Sequence, residues 1–320
     1  MNSRQRFHET MQFGSPDRVP YFEEGIRPEV VASWREQGLP PGVDISELFP
    51  SDRREEIKLD VTPHPEFQKW PSTLGELDSL RERLDPADTS RLPENWQVER
   101  LRNRDHVLML RVHEGFFLSM GVSDAKSFTR LMYQLVDNPS FVREYMRIQG
   151  EFAARLTERV LREVEADAVV FSEPIGDNNN ALISPRMYED FVLRSYEPLL
   201  DVTRRYGVKT VICRTYGNMR VLIPSLLKWG IDCLWACEVE QSVMNYPALR
   251  QEFGRDLRLI GGIDLDSLRE EKEAIHRAVE DVTPLVSDGG YVPLADGRVR
   301  ADVPYANYVY YRQLLTKICA

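Results

Sequence analysis

The sequence predicts an α/β fold built on a parallel β-sheet, and three observations support this. Short, almost continuously apolar segments alternate with longer amphipathic segments along the last two-thirds of the chain. The apolar segments are rich in β-branched and aromatic residues, as is typical of strands that are buried on both faces. The amphipathic segments are long enough to be the crossover helices that connect parallel strands.

Seven segments are candidate strands. The first is VPYFEE (19–24), and the others lie at 106–114, 167–173, 208–215, 232–239, 257–264 and 290–296. Strands that alternate with helices in this way fit a closed barrel as well as an open doubly wound sheet. The strand pattern alone therefore leaves both architectures open.

The helices between the strands carry start and stop signals. Asn138 can cap a helix for which Pro139 suits the first turn, and Ser184 and Pro185 repeat that arrangement. Gly207 is placed to end the second of these helices.

Residues 25–105 differ from the rest of the chain, because they are rich in Pro, Asp, Glu and Arg and contain few apolar runs. We predict that they form an excursion of loops and short helices that folds over one end of the sheet like a lid. No linker, low-complexity tract or internal repeat divides the sequence, so we expect one domain over residues 1–320.

The composition indicates a protein that acts on small molecules. The chain has 320 residues, with 41 Lys and Arg against 51 Asp and Glu, which gives a formal charge of −10. This charge argues against non-specific binding of nucleic acid. The sequence has no signal-like or membrane-spanning apolar run, so we expect a cytoplasmic location and no membrane contact. The four cysteines lack disulfide or metal spacing and are expected to be free thiols.

Several segments, in order along nearly the whole chain, resemble a known family. They are RQRFHETMQFGSPDRVPYFEE, SEPIGDNNNALISPRMYEDF, KWGID, LRLIGGID and GGYVPLADGRVRADVPYANYVYY. The family is the uroporphyrinogen decarboxylase superfamily, which includes porphyrinogen decarboxylases and methyltransferases that act with corrinoid proteins. The resemblance implies a (β/α)8 TIM barrel, with residues 25–105 covering one mouth and the site at the carboxyl-terminal mouth of the strands.

Two branches of that superfamily are matched poorly. The thiol-methylating members bind zinc through an H-x-C motif and a later Cys, but the matching positions here hold Arg214, Tyr216 and Gly297, so no zinc is expected. The porphyrinogen decarboxylases carry R-Q-A-G-R in an early loop and a His in the last-strand loop. This chain keeps a single arginine there, Arg27, and has Gly297 in place of the His, which argues against a four-carboxylate porphyrinogen as substrate.

The resemblance is closest to a zinc-less, corrinoid methyltransferase-like branch. The shared residues are Glu173, Gly217, Asn218, Glu238, Gly261, Gly262, Asp264, Asp296, Asp302 and Asn307. The chain departs from this pattern at Arg214, Tyr216, Gly297, Arg300 and Ala301, which all lie near the expected site.

Three residues are candidates for catalysis. Glu173 ends an apolar strand, where a partly desolvated carboxyl could act as an acid or a base. Asp264 follows Gly261 and Gly262, which allow a ligand to approach closely. His113 lies near the end of another strand, although a lone histidine at such a place is more often a core residue.

Candidate substrate-binding residues lie at the same strand ends. They are Arg27, Arg214, Tyr216, Asn218, Glu238, Asp296, Arg298 and Arg300. Converging guanidinium groups suggest an anionic ligand such as a carboxylate, a sulfonate or a folate tail. The arginines could equally pair with acids of the same mouth, so both interpretations remain open. Those acids are Glu173, Glu238, Asp264 and Asp296.

The sequence leaves three functions open. The first is zinc-independent methyl transfer between a corrinoid, carried by a partner protein, and a small anionic acceptor such as tetrahydrofolate. The second is a decarboxylase or lyase that acts on a smaller carboxylate held by Arg214. The third is a homologue that binds a ligand without catalysis.

Overall fold

The computed structural model describes residues 1–94, 96–237 and 242–320, and one parallel sheet organises them. Its seven strands are β1 (Arg54–Lys58), β2 (Val107–His113), β3 (Ala168–Ser172), β4 (Thr210–Thr215), β5 (Cys233–Ala236), β6 (Arg258–Ile263) and β7 (Tyr291–Ala295). Each strand pairs with the next one along the chain, so the spatial order is β1 to β7. An open doubly wound sheet reverses its strand order at one point, and this curled sheet does not.

Helices follow or precede the strands along the whole chain. The α-helices are α1 (Ser3–Met11), α2 (Pro28–Glu36), α3 (Ile45–Leu48), α4 (Asp78–Arg81), α5 (Val98–Arg102), α6 (Phe116–Ser119), α7 (Ala125–Asp137), α8 (Pro139–Leu161), α9 (Pro185–Met187), α10 (Arg194–Arg205), α11 (Ile223–Trp229), α12 (Tyr246–Phe253), α13 (Lys272–Glu280), α14 (Thr283–Asp288) and α15 (Tyr305–Cys319). Short 3₁₀ helices cover Leu74–Glu76, Thr89–Arg91, Arg220–Leu222, Gly254–Asp256 and Leu265–Arg269, and a π-helix covers Tyr188–Leu193. No described helix combines the length and the apolar character that a membrane span requires.

The predicted helix signals are confirmed in most respects. The Ser184 side chain accepts a hydrogen bond from the Met187 amide (3.3 Å), and Pro185 is the first residue of α9. Gly207 follows α10 with a positive φ of 71°, a conformation that suits glycine. Asn138 occupies the cap position of α8, but its side chain makes no capping hydrogen bond.

The first strand differs from the prediction. VPYFEE (19–24) is not a regular strand, and β1 lies instead at Arg54–Lys58, inside the segment predicted to be an excursion with at most one or two short strands. The Tyr21 carbonyl accepts a hydrogen bond from the Asp52 amide (2.7 Å), and the Gly25 carbonyl accepts one from the Val299 amide (3.1 Å). Residues 19–26, which we call the bridging segment, therefore reach from the start of β1 to the end of β7.

The two faces of the sheet bury different sets of side chains. The outer face packs against the helices in the larger apolar cluster. The inner face carries alternate strand residues, such as Val107, Met109 and Val170, which pack with Phe7 and Met11 of α1. Each large apolar side chain buried in this way contributes roughly 1.5–3 kcal/mol to stability.

Helix α1 covers the end of the sheet at which the strands begin. The Arg4 amide donates to the Asp105 carbonyl (3.2 Å), and the Gly290 amide donates to the Thr10 carbonyl (2.9 Å). Because the interior is packed at this end, space for a ligand is left at the opposite end, where the strands finish.

Candidate functional site

A polar cavity of about 430 Å³ opens at the carboxyl ends of the strands. Its lining residues are Glu24, Arg27, Arg54, Glu56, Arg111, Arg214, Tyr216, Cys237, Asp296, Gly297 and Arg298. They come from β1, β2 and β4, from residues just after β4, β5 and β7, and from the bridging segment and the residue before α2. Parallel α/β folds hold their ligands at this end of the sheet.

The period of two along each strand explains why these residues face the cavity. Arg111 shares its side of β2 with Val107 and Met109, which belong to the inner apolar cluster. Cys237 continues the inner row of β5 that begins with Cys233 and Trp235. Each inner row is therefore apolar in the interior and becomes polar where the strand ends.

Arg214 and Glu56 form the central ion pair of the cavity wall. The guanidinium donates to both carboxylate oxygens (3.0 and 2.5 Å) and lies over the ring of Trp235, 4.1 Å from its centroid. Arg111 adds a third contact, with its Nε 3.4 Å from Glu56 Oε1. Burial alone would raise the pKa of Glu56, but the hydrogen bonds and charge of Arg214 lower it overall, so Glu56 is ionised.

Arg54 places a second guanidinium against the same indole ring. Its guanidinium lies 5.0 Å from the Trp235 centroid and donates to the Glu23 carbonyl (2.9 Å). Its nearest acidic partner is Glu24, at 3.6 Å. Burial lowers the pKa of Arg54, and the positive charge of Arg214 lowers it further. The wall therefore carries concentrated positive charge.

Asp296 is the acid–base candidate of the cavity. Its side chain is only 5 % exposed, and one oxygen accepts a hydrogen bond from the Leu265 amide (3.0 Å). Burial raises the pKa of Asp296 to about 7, and the negative charges of Asp264 and Asp266 add to this effect. Near neutral pH both the protonated and the ionised form of Asp296 are therefore present, as a proton-transfer group requires.

The rim of the cavity carries two further arginines. Arg27 directly precedes α2 and Arg298 follows β7, and both are exposed. Neither makes an ion pair with an acid of the described chain. Tyr216, which is 46 % exposed, lies at the same rim. Arg27, Arg214, Tyr216, Asp296 and Arg298 were all predicted from the sequence, and the structure brings them together.

Glu173 does not face this cavity, contrary to expectation. It is fully buried on the helix-facing side of the sheet, where it accepts hydrogen bonds from the Phe116 amide (2.8 Å) and the Tyr196 hydroxyl (2.6 Å). Burial raises its pKa to about 7, and these two bonds oppose the rise. Glu173 lies one residue beyond Ser172, so the strand alternation turns it away from the interior.

His113 is enclosed beside Glu173 and also lies outside the cavity. Its ring centroid is 4.5 Å from that of Tyr196, and its Nδ1 accepts a hydrogen bond from the Gly115 amide (3.0 Å). Burial lowers the pKa of His113 to about 3, so the ring is neutral. An irregularity in β2 between Arg111 and His113 shifts the register and places the two side chains on different sides.

The remaining predicted residues have structural contacts or cannot be described. Asp264 caps the 3₁₀ helix Leu265–Arg269 by accepting from the Asp266 amide (2.8 Å), and it does not line the cavity. Asn218 joins two loops by donating to the Asn179 carbonyl (2.7 Å). Arg300 lies 3.4 Å from Asp266 rather than in the cavity lining. Glu238 lies outside the described residues.

Sequence reasoning missed several lining residues. Glu24, Arg54, Glu56 and Arg111 are not among the residues predicted from the sequence, and Cys237 was expected only to be a free thiol. A usable signal was present for Arg111, because it is a charged residue within an otherwise apolar strand. The signal for Arg54 and Glu56 was weaker: the two residues are spaced by two, as residues on one face of a strand are, but they lie in a segment of charged residues.

The positions that match the zinc ligands of the thiol-methylating proteins carry no zinc ligand here. The three positions that match zinc ligands in the thiol-methylating proteins hold a guanidinium, a phenol and no side chain, namely Arg214, Tyr216 and Gly297. Zinc is usually held by thiolate, imidazole or carboxylate groups. Nowhere in the described parts of the chain do three or more His, Cys, Asp or Glu side chains form a group that could hold a metal.

Comparison with known proteins gives one curated match and several distant structures. A protein of Methanocaldococcus jannaschii named "Probable phosphoenolpyruvate synthase" is 36% identical over 62 residues, which are 19% of this chain and 5% of that protein. A B12-independent methionine synthase from Shewanella sp. W3-18-1 is 14% identical, with a TM-score of 0.40, and the match covers 67% of this chain and 62% of that one. Xylanase B from Clostridium stercorarium F9 is 13% identical, with a TM-score of 0.39, and the match covers 67% and 77% of the two chains.

This chain thus spans about one-twentieth of the curated protein and less than two-thirds of the methionine synthase. A family model covers far more of it. The model described as uroporphyrinogen decarboxylase (URO-D) matches residues 116–293, which are more than half of the chain and include β3 to β6 entirely. The chain belongs to the uroporphyrinogen decarboxylase family.

Proposed function

We propose that this protein is an enzyme that decarboxylates a small organic anion in the cavity, with Asp296 supplying the proton to the reacting carbon. One observation carries the proposal: a carboxyl with a pKa near neutrality and several arginines line the same cavity. Membership of the family supports an enzymatic role. Groups with strongly shifted pKa values that lie in a cleft are frequent at catalytic sites.

The reaction needs a group that binds the anion and a group that donates a proton. The arginines would bind a carboxylate of the substrate by charge-assisted hydrogen bonds. The bond to the departing carboxylate would break with its electron pair left on carbon, and carbon dioxide would leave. Protonated Asp296 would then donate its proton to that carbon and regain one from water.

The fixed position of Arg214 supports this assignment. Its two bonds to Glu56 and its stacking on Trp235 hold the guanidinium in place before a ligand enters. A charge that is already oriented does not have to reorganise when negative charge moves during the reaction.

Methyl transfer is the second candidate. The observation that favours it is that Asp296 and the rim arginines line one cavity. Protonated Asp296 would give its proton to an amine nitrogen as the methyl group on that nitrogen passes to the acceptor, while the rim arginines hold the anionic donor or acceptor. In this case a corrinoid carried by a partner protein, or tetrahydrofolate, would take part. The arginines would then bind the anionic tail of the folate.

We also propose that the curled sheet completes a (β/α)8 barrel, with the bridging segment in the place of one strand. Residues Ile26 and Val299 form an isolated parallel bridge, which supports closure between β7 and the bridging segment. The bond from the Asp52 amide to the Tyr21 carbonyl supports closure on the other side.

The two reactions can be separated by one pair of assays. Small carboxylic acids are incubated with the protein in D₂O, and carbon dioxide release and deuterium in the product are measured. Methyl transfer from methylcobalamin to tetrahydrofolate is measured in parallel. Release with deuterium incorporation supports the decarboxylase, methyl transfer without release supports the second candidate, and tight binding with neither overturns both.

A further inference from the structure

Among the described residues, the charged groups around the cavity do not balance. Among the described lining residues there are five arginines and three acids. The excess is two positive charges when Asp296 is ionised and three when it is protonated. Arg214 is paired with Glu56, and Arg54 has Glu24 as its nearest acid. Arg111 shares Glu56 with Arg214, and Arg27 and Arg298 have no acidic partner among the described residues, so these three arginines carry the excess.

On the inner wall of the cavity two guanidinium groups share one carboxylate. Arg214 donates to both oxygens of Glu56, and Arg111 approaches the same carboxylate with its Nε at 3.4 Å. Arg111 makes no hydrogen bond to a described group, and its side chain is 28 % exposed at the cavity. The positive charge that Glu56 leaves uncompensated is suited to a carboxylate, sulfonate or phosphate oxygen.

The outer part of the cavity has a separate pair of cations. Arg27 and Arg298 are exposed at the rim and come from different segments, one before α2 and one after β7. No acid of the described chain lies within ion-pair distance of either. A second negative group of the ligand, placed at the rim, would pair with Arg27 and Arg298, whose charge an anionic group at the inner wall would not neutralise.

We propose that the substrate is a dianion that carries its two negative groups at opposite ends, one held on the inner wall by Arg111 and Arg214 and the other at the rim by Arg27 and Arg298. This inference rests on the proposed function, because it concerns the same cavity. The chemical class is a short dicarboxylate or a carboxylate that carries a second anionic group. With the described residues alone, a monoanion would leave one of the two pairs of arginines without a second anionic partner.

The test compares glutarate with pentanoate, which have the same number of carbon atoms and differ in one negative group. Binding is measured by calorimetry and by thermal shift at matched low ionic strength. We expect glutarate to bind at least about tenfold more tightly than pentanoate, because it gains one charge-assisted contact. In Arg298→Gln and in Arg111→Gln the preference should fall below about threefold.

Arg155→Gln is the matched control, because it removes the same charge from the exposed face of α8, and the preference should survive there. Melting curves of all variants verify folding before binding is measured. Equal binding of the two acids, no binding of either, or a preference that persists in both cavity variants would overturn the proposal.

Failure of this inference can be distinguished from failure of the proposed function. If glutarate binds with the expected preference but no dicarboxylate releases carbon dioxide, the dianion site is supported and the proposed reaction is overturned. If the protein decarboxylates a monocarboxylate and shows no preference for dianions, the proposed reaction is supported and the dianion site is overturned.

Discussion

Asp296 and Glu173 are both buried carboxyls whose pKa is raised to about 7, but they face different surroundings. Asp296 lines the cavity and can reach a ligand. Glu173 is enclosed by the Phe116 amide and the Tyr196 hydroxyl on the other side of the sheet. Glu173 therefore contacts protein groups rather than the cavity, which is why the proposed proton donor is Asp296 and not Glu173.

The first prediction concerns Asp296→Asn. General acid–base groups contribute about 10²–10⁴-fold to rate, so turnover should fall by at least about 100-fold. Because the pKa of Asp296 is raised by folding, its contribution to stability is largest below the unfolded pKa of about 4 and is lost as pH rises through about 7. Asp296→Asn has no ionisable group at this position and does not lose this stability as pH rises. The melting temperature of the variant minus that of the natural protein should therefore be larger at pH 8 than at pH 4.

Turnover assays and melting curves at both pH values check this prediction. Retained activity would remove Asp296 from the mechanism. A difference in melting temperature that is the same at pH 4 and pH 8 would mean that folding does not raise the pKa of Asp296.

The second prediction concerns Glu173. Glu173→Gln keeps an acceptor for the Phe116 amide and should retain turnover within a few-fold, because Glu173 does not line the cavity. Glu173→Ala leaves two buried donors unpaired and should lower the free energy of unfolding by about 2–4 kcal/mol. Urea unfolding and turnover of both variants check this. A 100-fold loss of turnover in Glu173→Gln, with unchanged stability, would contradict the structural role.

At the scale of secondary structure, β1 shows why part of the sheet could not be predicted. Strands β2 to β7 were found because apolar rows lie on both of their faces. In β1 the inner row is charged, since Arg54 and Glu56 line the cavity, and only Ile57 is a buried apolar residue. A strand that builds a polar site thus lacks the apolar signal by which strands are recognised.

The same reasoning explains why two candidate residues lie outside the cavity. In a strand that is apolar on both faces, the pattern does not say which face the last residue joins. Glu173 and His113 therefore could not be oriented from the sequence, and the irregularity in β2 is also invisible there. Arg214 and Asp296 were placed at the strand ends correctly, because that inference needs only the position along the strand.

The third prediction concerns the ion pair that joins β1 to β4. Arg214→Gln leaves the mostly buried Glu56 carboxylate without its main partner and should cost roughly 3–5 kcal/mol of stability. The double variant Arg214→Gln, Glu56→Gln should recover part of that loss. Arg220→Gln, which breaks an exposed pair with Glu252, is the control and should cost less than about 1 kcal/mol. A double-mutant cycle by urea unfolding measures this, and a coupling no larger than the control would contradict it.

At the scale of the whole molecule, α1 is tied to the sheet by a buried acid. Asp167 accepts hydrogen bonds from Arg4 (2.6 Å), from Arg104 (3.0 Å) and from the Leu108 amide (2.8 Å), and it lies 2.8 Å from His8 Nε2. Burial alone would raise its pKa, but these contacts lower it overall. One carboxylate therefore links the amino-terminal helix to the beginnings of β2 and β3.

The fourth prediction follows from that link. Asp167→Asn should lower the free energy of unfolding at pH 7 by roughly 3–5 kcal/mol, because Arg104 is left buried without its charge partner. The lowered pKa means that the stabilisation is present above the unfolded pKa of about 4 and is lost as pH falls below it. The difference from the natural protein should therefore shrink at pH 3. Unfolding curves at both pH values decide this, and an equal difference at both would argue against an ionic contribution.

The packing of α1 against the strand beginnings also has a kinetic consequence. The interior behind Trp235 is filled by apolar side chains, so among the described residues no passage leads from the cavity to the other end of the sheet. A molecule that enters at the strand ends, where Arg27 and Arg298 lie, therefore leaves at that same end. An anionic product should consequently act as a competitive inhibitor, and its departure at that end would limit how soon the next molecule is accepted.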